Sequence, residues 1–228
     1  MVLASPNAIP TSSSTSVAEV IARQKLAKRE AQYASEVRRL IDAGRDTMRA
    51  CGTTSSPRVA DIVAAAGLSN DAFYRHFPSK EALVTAIIED GASRLGGYLA
   101  HQMEKESSPF GRVRAWVHGV MSQAADDDIA ATTRAVLWNG AGISDGLGSH
   151  RPSHAAALAQ LLRDPLAELG SDDPNADAAL AAHATIGVLS DCLGQGIRPT
   201  RAQIDHIVEF CVAAIAPRPR SRPPSTST

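Results

Sequence analysis

The 228-residue chain contains only three cysteines, Cys51, Cys192 and Cys211, with wide spacing and no Cys-x-x-Cys pair. An odd, scattered set speaks against a disulfide framework and against a zinc site, and for a reducing compartment. No stretch approaches the roughly 18 unbroken apolar residues that a membrane span requires. The N-terminus lacks a charged segment followed by an apolar core, so a secretory signal is not expected either. These absences point to the cytoplasm and to no membrane partner. Aromatic residues are scarce, at 4% of the chain. Runs of β-branched residues are scarce too, and no segment reads as a strand. Catalytic signatures are also missing: there is no Gly-x-Ser-x-Gly elbow, and no Gly-x-Gly-x-x-Gly follows a strand. No enzyme, cofactor or nucleotide site is therefore expected. The glycines of "GAGISDGLG" (140–148) read as a loop.

What is present is alanine, the strongest helix former, within an apolar fraction of 44%. The composition predicts an all-α protein. Charge is unevenly spread. Residues 1–80 hold 11 Lys/Arg against 7 Asp/Glu, and residues 81–216 hold 9 against 17, so a basic front precedes an acidic body. That asymmetry suits a front end that meets a polyanion.

Ser/Thr/Pro-rich ends, 1–16 and 217–228, are expected to be disordered. Between them the helical period recurs. Val37, Leu40, Ile41, Gly44 and Met48 form one stripe of a helix from Val17 to Ala50, and Gly52 stands where its C-terminal glycine should. The basic run Arg23, Lys25, Lys28 and Arg29 is either a separate short helix or an extension of this one. It serves either as a solvated face or as an arm on flanking DNA. Ser56 and Pro57 are read as the cap and first position of the next helix. Gly67 ends that helix. Ser69 caps another, which stops before Pro78, and Ser79 caps a long one. Leu83, Val84, Ala86, Ile87, Ile88 and Leu95 would face inward from the long helix. Turn signals then divide the remainder into helices at about 112–124, 127–138, 151–168, 174–194 and 200–215. Asp126 to Asp128 would sit at a helix N-terminus, favoured by the dipole.

Two short helices joined at a glycine turn, inside a three-helix unit, describe a helix-turn-helix. Its second helix must expose donors to the major groove, and Ser69, Asn70, Asp71, Tyr74 and Arg75 fit that face. Ala72 is small enough to approach a base edge or a thymine methyl. Phe73 and Phe77 fit the opposite face as core anchors. Lys80 and the amides of the following helix can hold a phosphate. Asp71 would either accept from a cytosine amino group or cap its helix.

The residues "VADIVAAAGLSNDAFYRHFPSKEALV" (59–84), with Tyr74, Phe77, Ser79 and Lys80 as their core, resemble the DNA-binding domain of TetR-family transcriptional repressors. The resemblance runs from about Tyr33 to Asp90. It implies a homodimer with an N-terminal three-helix DNA-binding unit, then a helical effector-binding and dimerisation domain. The division expected is a basic helical arm at 17–32, the DNA-binding domain at 33–93 with its motif at 58–77, and the effector and dimerisation domain at 94–216. Carried over by position, the resemblance implies a recognition helix at Ser69–Phe77. Tyr74 and Lys80 would meet phosphates, Ala72 and Arg75 base edges, and Ser55 or Ser56 the backbone. With Arg58, Ser69, Asn70 and His76 these make the expected DNA face. Asn70, Asp71 and Ala72 depart from the family's common pattern, so the operator sequence does not follow by analogy.

The expected function is a repressor released from its operator by a small molecule. The alternative is a DNA-binding dimer without such a ligand, controlled by a protein partner or by its abundance. Candidate cavity residues are Met103, Trp116, His118, Val120, Met121, Leu137, Trp138, Asn139 and His183; the large ones among them would serve equally as plain core. Small residues at 176–193 and the wide stripe of the last helix give the expected dimer face: Ala184, Val188, Ile204, Ile207, Val208, Cys211, Val212 and Ile215. His150 and His154 have the i, i+4 spacing of a zinc pair, with Asp145 nearby, but no third ligand follows, and no metal is expected.

Overall fold

The computed structural model describes residues 16–141 and 154–213. Both terminal segments expected to be disordered lie almost wholly outside these residues. So do Asp145, His150 and Ile215, most of the loop expected at 140–148, and the side chain of His154.

Among the described residues the regular structure is entirely helical, as the alanine-rich composition demands. The elements are α1 (Val17–Cys51), α2 (Val59–Ala66), α3 (Asn70–His76), α4 (Lys80–Glu104), α5 (Pro109–Ala125), α6 (Asp127–Gly140), α7 (His154–Ala159), a 3₁₀ turn at Gln160–Leu162, α8 (Arg163–Glu168), α9 (Pro174–Gln195) and α10 (Arg201–Ala213). The chain divides into two units, Met1–Arg39 and Leu40–Thr228.

In the first unit, residues 17–39 are helical and none is buried. Its start is a reciprocal cap: the Glu19 N–H donates to the Ser16 hydroxyl and the Ser16 N–H donates to the Glu19 carboxylate. The basic run at 23–29 is thus part of α1 and not a separate helix.

The second unit begins with a small core. Leu40, Met48, Ile62, Phe73 and Leu83 have no exposed surface, and Val84, Ile87 and Phe77 close around them. Gly44 is needed here for its size, because a Cβ would lie 2.8 Å from Ile87 Cδ1. The punctuation read from sequence is largely met. Gly67 ends α2 in the left-handed region (φ 62°). The Ser69 and Ser79 hydroxyls accept from the N–H groups of Ala72 and Ala82. The start of α2 differs, however. Arg58 is its capping residue, and Pro57 is buried ahead of the helix. Asp61 reaches back to accept from the Arg58 N–H, which frees Ser56 from the capping role.

The larger core lies around Trp116, whose indole N–H donates to the Leu158 carbonyl at 3.1 Å. Helix α5 carries it, with Val113, Val117, Val120 and Met121 fully buried on the same helix. Helices α4, α6, α9 and α10 and the segments around Leu162 and Leu166 surround α5. Asp126 caps α6 by accepting from the N–H groups of Asp128 and Ile129. Its neighbours tie that end to other elements, Asp127 to Arg198 and Asp128 to Arg49.

Candidate nucleic-acid interface and cavity

Helix α3 is only seven residues long, so packing rather than propensity holds it. Phe73 and Phe77 anchor it with ring centroids 6.0 Å apart, and the Tyr74 ring meets Phe73 edge-on at 5.2 Å. This leaves Asn70, Asp71, Tyr74 and Arg75 outward, with Tyr74 58% exposed. His76 is half-buried. Ala72 must be removed from the base-reading face: it is 4% exposed and packs inward beside Phe73. The 3.6-residue period explains the correction, since residues 72 and 73 share the inner side once 70, 71, 74 and 75 are out. Asp71 stands exposed in the first turn, and the cap it might have supplied is made by Ser69.

Three residues of the expected DNA face, Arg58, Lys80 and Ser56, already have partners. The Arg58 guanidinium bonds the Asp61 carboxylate through Nε and Nη2 at 3.1 and 3.2 Å. That hydrogen bond, more than charge alone, holds the Asp61 carboxyl below the usual carboxylate range. The Lys80 ammonium donates to the Ser56 hydroxyl at 2.8 Å, and Ser56 donates in turn to Asn139 Oδ1 at 2.7 Å. Asn139 Nδ2 donates to the Ala135 carbonyl at 2.8 Å. This relay runs from Lys80 at the start of α4 to the C-terminal turn of α6. One Lys80 proton is used, and two remain for a phosphate. Ser55 is exposed beside it.

Beyond this end lies a cavity of about 610 Å³. Helix α4 contributes Ile87, Ile88 and Leu95 and α6 contributes Val136 and Leu137, while Leu158 and Leu189 come from α7 and α9. Gln123, Thr132, Thr133 and Ser190 add polar groups, and Arg45, Arg49, Arg94 and Asp128 add charge. A mostly apolar space with few polar groups has the character of a small-molecule site.

Only Val120 and Leu137 of the expected cavity residues line it. Trp116 and Met121 are sealed in the core. Met103 belongs to a separate shallow depression with Glu106 and Arg112. Trp138 is half-exposed and does not line the cavity, and Asn139 serves the relay. His118 faces Asp205 at 3.7 Å, and His183 Nδ1 meets its own helix at the Ala179 carbonyl, 2.7 Å away. Size alone favoured the tryptophans in sequence. The lining instead comes from medium residues of α4 and α6, which the sequence marks only as inward-facing.

The expected dimer face also changes. Ile207, Val208 and Cys211 are buried within the protomer's own core, and Ile204, Val212 and Ala184 are partly covered. The apolar side chains left outward on these two helices are Leu180 and Val188 on α9 and Phe210 on α10, with Leu180 68% exposed. Phe210 lies next to Cys211 in sequence and outside the expected stripe, part of which was expected to be buried within its own subunit. Among the described residues no cluster of His, Cys, Asp and Glu could hold a metal ion, and no helix is long and apolar enough to cross a membrane.

Residues 40–87 match the family described as bacterial regulatory proteins, tetR family. No curated protein matches the chain. Solved structures share the fold along most of its length. A putative transcriptional regulator from Pseudomonas aeruginosa PAO1 is 24% identical, with 81% of this chain and 88% of that one covered and a TM-score of 0.55. RolR in complex with resorcinol is 18% identical, with coverages of 82% and 90% and a TM-score of 0.56. A putative TetR-family regulator from Mesorhizobium loti MAFF303099 is 16% identical, with coverages of 80% and 96% and a TM-score of 0.53. The likeness to the tetR family of bacterial regulatory proteins is thus carried by residues 40–87, and the solved structures share the fold of the chain beyond them.

Proposed function

We propose that the protein is a homodimeric repressor that leaves its operator when a small molecule fills the 610 Å³ cavity. Residues 33–93 act as its DNA-binding domain and residues 94–216 as its effector and dimerisation domain. The observation that carries this reading is the position of α4 and α6. Both helices wall the cavity, and both supply residues to the relay that ends at Lys80 and Ser56. A ligand that fits one placement of these helices better than another shifts the population of DNA-competent protein by its differential affinity. RolR, which shares the fold, carries resorcinol in its complex. A body packed solid around Trp116 and Trp138 would support the alternative regulator without a ligand, and the cavity is the observation that favours the ligand-responsive reading.

In this reading Asn70 and Arg75 face the major groove, while Ser55, Ser56, Tyr74 and Lys80 meet phosphates. Leu180, Val188 and Phe210, flanked by Ala184, Ile204 and Val212, form the two-fold face. Two recognition helices about one DNA turn apart (roughly 34–36 Å) or more then require an inverted-repeat operator. Selection from random duplex DNA with the purified protein tests this. An enriched inverted repeat supports the reading, whereas absence of enrichment at moderate salt, with ligand-free protein, sinks it. On the selected operator, Lys80→Ala weakens binding to all sequences and flattens the salt dependence, while Arg75→Ala changes sequence preference.

A further inference from the structure

The charged groups of the cavity are gathered where α1, α4 and α6 meet. Arg45 and Arg49 stand one helical turn apart on α1, Arg94 on α4, and Asp128 on α6. Asp90 joins the α1 and α4 arginines, 2.9 Å from Arg94 Nη2 and 4.0 Å from Arg45 Nη1. The remaining wall, from Ile87 and Leu95 through Val120 to Leu158 and Leu189, is apolar. We infer that the cavity takes an apolar molecule bearing a carboxylate, with the carboxylate seated on Arg45 and Arg49.

This inference rests on the reading of the cavity as an effector site and adds the chemistry of the effector. Two observations support it. Arg45 lines the cavity, and its buried Nη1 makes no hydrogen bond, the facing carboxylate oxygen being Asp90 Oδ2 at 4.0 Å. Such a group costs free energy until an oxygen reaches it. Arg49 is held by Asp128, whose side chain is 81% exposed. An exposed ion pair contributes little, and Asp128 keeps the favourable end of the α6 dipole when released. A ligand carboxylate can therefore take over Arg49 at low cost and satisfy Arg45 at the same time, in the two-pronged geometry that guanidinium groups favour.

Other carboxylates lie close and oppose this. Asp42 and Asp46 pair with Arg45 at 2.8 and 3.7 Å, and Asp90 pairs as described. None of the three lines the cavity, whose own charged groups are three arginines and one aspartate. Asp42 and Asp46 are also open to water, which screens them. At the roughly 30 Å³ that liquid water takes per heavy atom, the space corresponds to an amphiphile of up to about 20 heavy atoms.

The experiment is calorimetric titration of the purified full chain with dodecanoate, 1-dodecanol and dodecylammonium, each below its aggregation limit. Dodecanoate binds at least about tenfold more tightly than dodecanol, and dodecylammonium binds weakest. Arg45→Gln and Arg49→Gln each erase the preference for the acid and leave the alcohol within about twofold of the parent. Arg49 lies in an exposed pair, so its variant folds even where the Arg45 change proves costly. Equal binding of acid and alcohol to the parent overturns the carboxylate inference and leaves the effector cavity standing. A preference that survives both substitutions overturns the assigned seat. Failure of all three probes to bind overturns the inference together with the cavity as a site for such molecules.

Discussion

The helix-turn-helix end and the body behind it are both helical, yet they use their apolar residues in opposite ways. Around α2 and α3 a few large side chains close on each other completely, Phe73 and Ile62 having no exposed surface. The body has far more apolar surface to bury and still leaves about 610 Å³ open between α4, α6 and α9. A reading head must hold four outward side chains on a seven-residue helix, and only a filled core can fix so short an element. The body keeps an open space lined by α4, α6 and α9, as the proposed effector site requires. The difference is between a core filled by its own side chains and one that leaves space between them.

The largest expected effect comes from opening the filled core. Phe73→Ala costs about 3–5 kcal/mol of the DNA-binding unit's stability. Operator binding should vanish while ligand binding to the cavity persists, as read by gel shift and calorimetry on the same sample. If both are lost together, the two regions fold as one cooperative body and the contrast fails.

The next test contrasts tight and open glycines. A Cβ at Gly119 would lie 2.4 Å from Leu99 Cδ2, so Gly119→Ala should lose about 1–3 kcal/mol by overpacking. Gly91 lines the cavity with nothing within 4 Å of its Cβ position, and Gly91→Ala should gain up to about 1 kcal/mol from helix propensity. Urea midpoints of the two variants check the opposite signs.

A smaller effect concerns the relay between the regions. Asn139→Ala removes the acceptor for Ser56 and loosens Lys80, a loss of about 0.5–1.5 kcal/mol in DNA affinity. The loss should be uniform across DNA sequences, because phosphate contacts carry no sequence information. A change in base preference would place Asn139 in a different role.

The smallest effects concern the cysteines. Burial pushes the Cys211 thiol above its ordinary value, against the opposing hydrogen bond from Thr185. Its contribution to stability is complete below the unfolded value of about 8.5 and fades as pH rises through the folded one. Cys211→Ala should therefore flatten the alkaline decline of the melting temperature. In the native protein iodoacetamide should alkylate half-buried Cys51 well before buried Cys192 and Cys211. Equal rates would mean that the body opens as readily as the reading end.

The reading end was the more legible region because its signals are local. Gly67, Ser69, Pro78 and Ser79 each act on their own backbone within a few residues, and the structure uses them as read. Ala72 went wrong because its small size allowed either face, and only the packing of Phe73 decided which. Ser56 went wrong for a different reason. Its hydroxyl has a partner 83 residues away in sequence, and no cap rule anticipates that. In the body, the size of Trp116 and Trp138 suits either a cavity wall or plain core, and nothing local decides between them. Trp116 is enclosed by α5 and its neighbours, while the space opens beside Ile88, Leu95 and Val136.

By itself the sequence determined the all-helical class, most helix ends, and the helix-turn-helix with its outward Asn70, Tyr74 and Arg75. Each of these follows from propensity, capping or a 3.6-residue period, which act over a few residues. Only the tertiary structure decided where the cavity lies, which arginines reach it, how Asn139 meets Ser56 and Lys80, and which apolar residues of α9 and α10 remain outside. Those choices depend on how the helices pack side by side, and residues far apart in the chain settle that packing jointly.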